Sequence, residues 1–60
     1  MDKFNIGDLV EAMHARDLKV RTGIILKQLP NGPFGMKVFV IMTNDGYVGT
    51  FTSAAIRKFG

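Results

Sequence analysis

The chain has 60 residues, a length that makes one small domain, and a formal net charge of +3. It contains no cysteine, so neither disulfides nor thiolate metal sites can stabilise it. Hydrophobic residues make up 47% of the sequence, so a dense apolar core or association with another chain must supply the stability. The mildly basic balance permits contact with nucleic acid without requiring it. We expect a single domain over residues 1–60.

The first residues and the apolar runs of the chain predict where in the cell the protein is located. Residues 1–4 have neither the basic nor the apolar region of a secretory signal. No apolar run approaches the roughly 20 residues that a membrane helix needs. With the lack of cysteine, these features predict a reducing, cytoplasmic setting and no membrane partner.

In chain order, the first segment is ambiguous between strand and helix. Residues 8–17 begin with the spacing of a capping box and have good helix propensity. The apolar residues Ile6, Val10 and Ala12 fall at even spacing, which favours a strand. We therefore predict a strand here, with an α+β fold that has a helix over about residues 8–17 as the alternative.

The middle of the chain predicts two strands separated by a loop. Residues 21–29 have a strand-like composition, and Gly23 indicates a bend or a close approach of another backbone. Two prolines and two glycines within residues 29–35 predict a loop. Residues 36–42, rich in Val, Ile and Phe, then predict a strand that is apolar on both faces.

The strongest local signal is a hairpin at residues 43–46, where Gly46 can take the left-handed position of the turn. Residues 47–52 predict the return strand. Its alternation separates two faces: Val48, Thr50 and Thr52 on one, and Tyr47, Gly49 and Phe51 on the other. Ser53 is placed to cap one helical turn before a last strand over residues 56–59.

These segments together resemble a known family. An apolar residue before Gly7-Asp8, a glycine followed by aliphatic residues at Gly23, the Asp45-Gly46 hairpin and the turn at residues 53–56 are similar to the corresponding parts of small SH3-like barrels. Bacteriophage genomes encode many small proteins of this kind. The resemblance implies a mainly β, five-stranded SH3-like barrel with a short 3₁₀ or helical turn before the last strand. Such a fold does not specify a function.

The apolar surplus predicts a protein-binding surface. If one face of the second and third strands fills the core, the other face points outward. We assign Ile24, Leu26, Val38 and Val40 to the core. Ile25, Phe39 and Ile41 are then exposed and form the predicted interface with a protein partner or a second copy of the chain. The alternative is that loops or Phe4 cover them.

A nucleic-acid-binding barrel is the second prediction. Basic side chains would contact phosphate and aromatic rings would stack on bases, through Arg16, Lys19, Arg21, Tyr47 and Phe51. Asp17 lies within the same basic cluster, so a solvated charged face is the competing interpretation. An accessory subunit of a larger complex is a third.

Catalytic chemistry has little support in the sequence. His14 is the only histidine, with no cysteine or serine nucleophile and no second metal ligand near it in sequence, so a surface or loop histidine is the better interpretation. We therefore predict a non-enzymatic protein with no metal, no cofactor and no identified small-molecule substrate.

Overall fold

The computed structural model describes residues 4–30, 32 and 35–59, so part of the predicted loop, Asn31, Pro33 and Phe34, lies outside the described residues. Within these residues, five strands follow one another: β1 Leu9–Met13, β2 Val20–Leu29, β3 Val38–Thr43, β4 Val48–Thr52 and β5 Ile56–Lys58. A 3₁₀ turn, Ser53–Ala55, separates the last two. The mainly β prediction is confirmed, and the helix over residues 8–17 is wrong.

The strands form one open antiparallel sheet in the order β4-β3-β2-β1-β5. The central strand β2 pairs with β1 from Val20 to Ile24, and with β3 from Gly23 to Leu29. A bulge lies between Ile25 and Lys27, where an irregular ladder increases bending and twist. Strands β4 and β5 are the two edges of the sheet.

A turn before β1 explains why only part of its even-spaced apolar pattern is buried. Val10 and Ala12 lie in the core, whereas Ile6 is 67% exposed. Gly7, at φ +92°, reverses the chain between them. The Gly7 N–H then donates to the Ile25 carbonyl oxygen at 2.8 Å, which ties the turn to β2.

The hairpin between β3 and β4 has the predicted turn. Gly46 takes the left-handed conformation, at φ +87°. The Thr43 N–H donates to the Tyr47 carbonyl oxygen at 2.8 Å, and the Gly46 N–H donates to the Thr43 carbonyl oxygen at 2.9 Å. The buried Thr43 hydroxyl donates to the Asp45 carboxylate, so this polar group is satisfied inside the protein.

One face of the sheet carries the core. Its buried apolar residues come from all five strands: Val10, Ala12, Ile25, Phe39, Ile41, Phe51 and Ile56. Phe4 packs against this cluster, and its ring meets that of Phe39 edge-on with centroids 5.7 Å apart. Burial of each large side chain contributes about 1.5–3 kcal/mol.

The predicted faces of β2 and β3 are wrong. Ile25, Phe39 and Ile41, expected to be exposed at an interface, are 1%, 1% and 0% exposed. Ile24 and Leu26, expected in the core, are 40% and 43% exposed, and Val38 and Val40 are partly buried. Because both strands are apolar on both faces, alternation within either strand cannot distinguish the inner face from the outer one.

Leu18, in the loop between β1 and β2, is strained. Its backbone has φ +57° while its side chain is 69% exposed, so little packing offsets the left-handed conformation. Asparagine tolerates this conformation better than leucine. We therefore expect Leu18→Asn to stabilise the protein by up to about 1 kcal/mol, measured by urea unfolding. A lower unfolding midpoint would contradict this account of the loop.

Candidate binding surface

The face of the sheet opposite the core carries a continuous line of large apolar side chains, which we call the outer row. Leu9 lies opposite Ile24, Ile24 opposite Met42, and Met42 opposite Val48. Beyond the end of β5, the Phe59 N–H donates to the Leu9 carbonyl oxygen at 3.4 Å, which extends the line to the last strand. Directly opposed residues have Cβ atoms about 4.5–5.5 Å apart, so these side chains are neighbours.

Every member of the outer row is substantially exposed, between 40% for Ile24 and 51% for Val48. Beside it lies an open depression of about 330 Å³, lined by Leu9, Ile24 and Met42 together with Thr22 and Asn44. Isolated exposed apolar residues are normal on protein surfaces. An apolar line across the whole sheet, beside a concave surface, is the arrangement typical of a binding site.

Charged residues lie on both sides of the outer row. On one side, Arg57 Nε is 2.7 Å from Glu11 Oε1, so these charges compensate each other. Lys27 lies on the other side, opposite Val40 in the register of β2 and β3. The surface therefore has an apolar centre and polar borders, the general composition of protein interfaces.

The basic residues predicted to bind nucleic acid lie elsewhere, around a cleft between the β1–β2 loop and the β3–β4 turn. We call it the mixed cleft; its volume is about 120 Å³ and it is lined by His14, Arg16, Asp17, Arg21, Asp45 and Tyr47. The Arg21 guanidinium lies 2.9 Å from Asp17 Oδ2 and 3.0 Å from Asp45 Oδ2. Arg21 therefore joins the two loops, and two carboxylates surround its charge.

The structure brings together part of the predicted nucleic-acid set. Arg16, Arg21 and Tyr47 line the mixed cleft, whereas Lys19 does not. Phe51, predicted to offer its ring for base stacking, is 6% exposed and belongs to the core cluster. Most of its ring surface is therefore packed against other core residues.

His14 joins the aromatic side of the mixed cleft. Its ring meets that of Tyr47 edge-on with centroids 5.0 Å apart, and that of Phe51 with centroids 5.9 Å apart. Its Nδ1 accepts the Arg16 N–H at 3.3 Å. His14 therefore packs at the start of the β1–β2 loop, and its location agrees with the surface or loop histidine that the sequence predicted.

Among the described residues, three carboxyl groups have lowered pKa values. The Arg21 guanidinium and the Lys19 N–H hold the pKa of Asp17 far below its ordinary value of 3.8. The Thr43 hydroxyl, and then the Tyr47 N–H, lower the pKa of Asp45. The pKa of Asp8 is lowered by the Asn5 N–H and then by Lys58, whose Nζ is 3.0 Å from Asp8 Oδ2.

Acid is expected to destabilise the fold through these three groups. Their folded-state pKa values lie below the unfolded value of 3.8, so their contribution is complete above that value and disappears as the pH falls through the folded values. The urea midpoint should be flat between about pH 5 and 7 and fall below about pH 4. Asp17→Asn should make the fall shallower. A midpoint unchanged down to about pH 2 would contradict these ion pairs.

Within residues 4–30, 32 and 35–59, no three His, Cys, Asp or Glu side chains are grouped so that they could hold a metal ion. Among the same residues, no helix has the length and apolar character needed to cross a membrane.

Comparison with protein-family models, curated proteins and solved structures finds no match to this chain.

Proposed function

We propose that this protein is a non-enzymatic binding or assembly module whose interface is the outer row. The observation that carries the proposal is the register: Leu9, Ile24, Met42 and Val48 lie side by side across four strands, and Phe59 continues the line. The proposed interface differs from the one predicted from the sequence, whose residues Ile25, Phe39 and Ile41 are buried.

The exposed side chains of the outer row leave apolar surface in contact with water, which is unfavourable. A 60-residue domain without disulfides has a small stability margin, and exposed apolar area adds nothing to it. Covering the outer row with a partner gains about 25 cal/mol for each Å² of apolar surface removed from water. Glu11, Arg57 and Lys27 at its borders favour an orientation of the partner without interrupting the apolar centre.

We further propose that the sheet closes into an SH3-like barrel. In a flat sheet with this strand order, β4 and β5 are four spacings apart, about 19 Å. Phe51 of β4 and Ile56 of β5 nevertheless belong to the same buried cluster. The bulge in β2 supplies a bend between its two halves. Nuclear Overhauser contacts between Phe51 and Ile56 are expected for a barrel, and their absence would contradict it.

Nucleic-acid binding through the mixed cleft has weaker support. Arg16 and Tyr47 lie together there, with an exposed cation and a half-exposed ring. Asp17 and Asp45 make nucleic-acid binding at this cleft less favourable. Their carboxylates compensate the charge of Arg21 and would repel a phosphate. An accessory subunit of a larger complex would use the outer row and is included in the main proposal.

Site-specific photo-crosslinking tests the proposed interface. A photoreactive residue is introduced in place of Met42 on the outer row, or of the exposed Ala54 in the 3₁₀ turn as the matched control. In cells that naturally produce the protein, we expect a discrete protein adduct from position 42 and none from position 54. No adduct at position 42, or equal adducts at both positions, would contradict the proposal.

A further inference from the structure

We propose that the free edge of β4 binds an extended segment of another protein, which adds to the sheet as a further strand. This site is distinct from the outer row, because it consists of backbone groups at the edge of the sheet and not of side chains on its face. β4 lies at one end of the strand order. An edge strand presents unpaired N–H and carbonyl groups, which a second extended chain can pair with.

The register of β3 and β4 shows which backbone groups face the free edge. The Thr43 N–H donates to the Tyr47 carbonyl oxygen at 2.8 Å, and the pairing is regular along the whole of β4. Bonding alternates along an antiparallel strand, so Val48 and Thr50 direct their N–H and carbonyl groups away from β3. Within the described part of the chain, these groups have no hydrogen-bond partner on the other side.

The two edges of the sheet differ in how they are protected. β5 has three residues, of which two are Arg57 and Lys58. Short length and positive charge both discourage the addition of a strand. β4 has five residues and carries neither a charge, a proline nor a bulge. Its β-branched and aromatic residues favour the extended conformation, so β4 is the edge suited to accept a strand.

A groove beside β4 limits what can bind there. Its volume is about 260 Å³, and it lies between β4 and residues 13–15 at the end of β1. The His14 ring spans the groove, with its centroid 5.0 Å from that of Tyr47 and 5.9 Å from that of Phe51. Because the end of β1 bounds the side away from β4, the groove admits one extended chain and excludes the sheet edge of a second folded copy.

The lining of the groove defines the chemistry of the bound segment. Successive side chains of a strand point to opposite faces, so alternate residues of the segment contact the rings of His14 and Tyr47, which apolar or aromatic side chains fit. The residues between them lie beside Thr50, on the solvent side. Proline is excluded wherever the segment donates an N–H to β4. We therefore expect a segment of about five residues, the length of β4, that is apolar at every second position.

Selection from a displayed library of random peptides of about ten residues tests the inference, with the purified protein as bait. The enriched peptides should alternate apolar and polar residues and lack proline at their centre. One enriched peptide is then synthesised for measurements of its Kd. If no peptide is enriched, the inference is wrong.

A pair of proline variants tests the contact with the edge. Thr50→Pro removes an N–H that points away from β3, so the sheet keeps its ladder while the binding of the peptide should weaken at least about tenfold. Lys58→Pro is the matched control. Its N–H points away from β1 at the other edge, because the neighbouring Phe59 N–H donates to Leu9. It should leave the Kd unchanged, and equal binding to Thr50→Pro would overturn the inference.

Amide hydrogen exchange in the natural protein gives a test that does not depend on the folding of a variant. Without peptide, the amide protons of Val48, Thr50 and Lys58 should all exchange rapidly with solvent. The peptide should slow exchange at Val48 and Thr50 only. Slow exchange at Thr50 that appears on raising the protein concentration without peptide would show a second copy at this edge and overturn the inference.

The outer row provides a separate outcome. Met42→Glu changes that surface and leaves the backbone of β4 intact, so it should bind the peptide with the natural Kd. If Met42→Glu abolishes binding and Thr50→Pro does not, the peptide binds the outer row. The strand-addition site would then be wrong, and the proposed function would be supported.

Discussion

Ile41→Glu is expected to abolish the folded state. Ile41 has no exposed surface and lies in the core with Ile25 and Phe39. An unpaired carboxylate there costs several kcal/mol, either as buried charge or as the shift in pKa needed to neutralise it. At about 0.05–0.15 kcal/mol per residue, a chain of this length has a total stability of only about 3–9 kcal/mol. Circular dichroism and amide chemical-shift dispersion should both show an unfolded chain.

The neighbouring residue supplies the control. Met42 is 41% exposed on the opposite face of the same strand, so Met42→Glu should remain folded with a stability close to that of the natural sequence. The two substitutions are at adjacent positions of β3, so each one tests a different face of the strand. A folded Ile41→Glu together with an unfolded Met42→Glu would show that the assignment of the faces is inverted.

Gly23→Ala is expected to destabilise the protein by about 1–3 kcal/mol. A Cβ at this position would lie 2.6 Å from Ile41 Cγ2 and 3.0 Å from the Met42 carbonyl oxygen. The Ile41 side chain is fully buried and the Met42 oxygen is part of the backbone, so neither can move away without disturbing β3. The urea midpoint measures the loss.

Gly49→Ala is the matched control, because Gly49 is also a strand glycine. Its added Cβ would meet the ring of Tyr47, with the nearest ring carbon at 2.4 Å. That ring is 42% exposed and can swing into solvent, so the loss of stability should be smaller than for Gly23→Ala. If Gly23→Ala proves as stable as the natural sequence, the close approach of β2 and β3 is wrong.

Local features of the fold were predictable because local chemistry determines them. The hairpin follows from residues that tolerate turn geometry, ending in Gly46. The 3₁₀ turn before β5 lies where it was expected, although Thr52 is its N-cap residue and makes no side-chain capping bond. Gly23 marks a close approach, as its position in a strand indicated.

The faces of β2 and β3 required information from a neighbouring strand. In β4, Thr50 and Thr52 identify the solvent side, so Phe51 belongs to the core. The hairpin register places Phe39 opposite Phe51, and therefore on the core face too. This signal was present in the sequence, since the turn fixes the register. The composition of β3 by itself does not reveal the core face, because the strand is apolar on both faces.

The outer row and the Arg21 contacts could not be read from the sequence in the same way. The row depends on the pairing of residues far apart in the chain, such as Leu9 with Ile24 and Ile24 with Met42. The bridge from Arg21 to Asp45 depends on the distance between the start of β2 and the β3–β4 turn. Both are products of strand register, which a pattern within one segment does not specify.

Methyl NMR spectra recorded with a soluble paramagnetic agent test the outer row most directly. The methyl signals of Ile24 and Met42 should broaden while those of Ile25 and Ile41 stay sharp, because only the first two side chains are exposed. Broadening of Ile25 and Ile41, or sharp signals from Ile24 and Met42, would contradict the account.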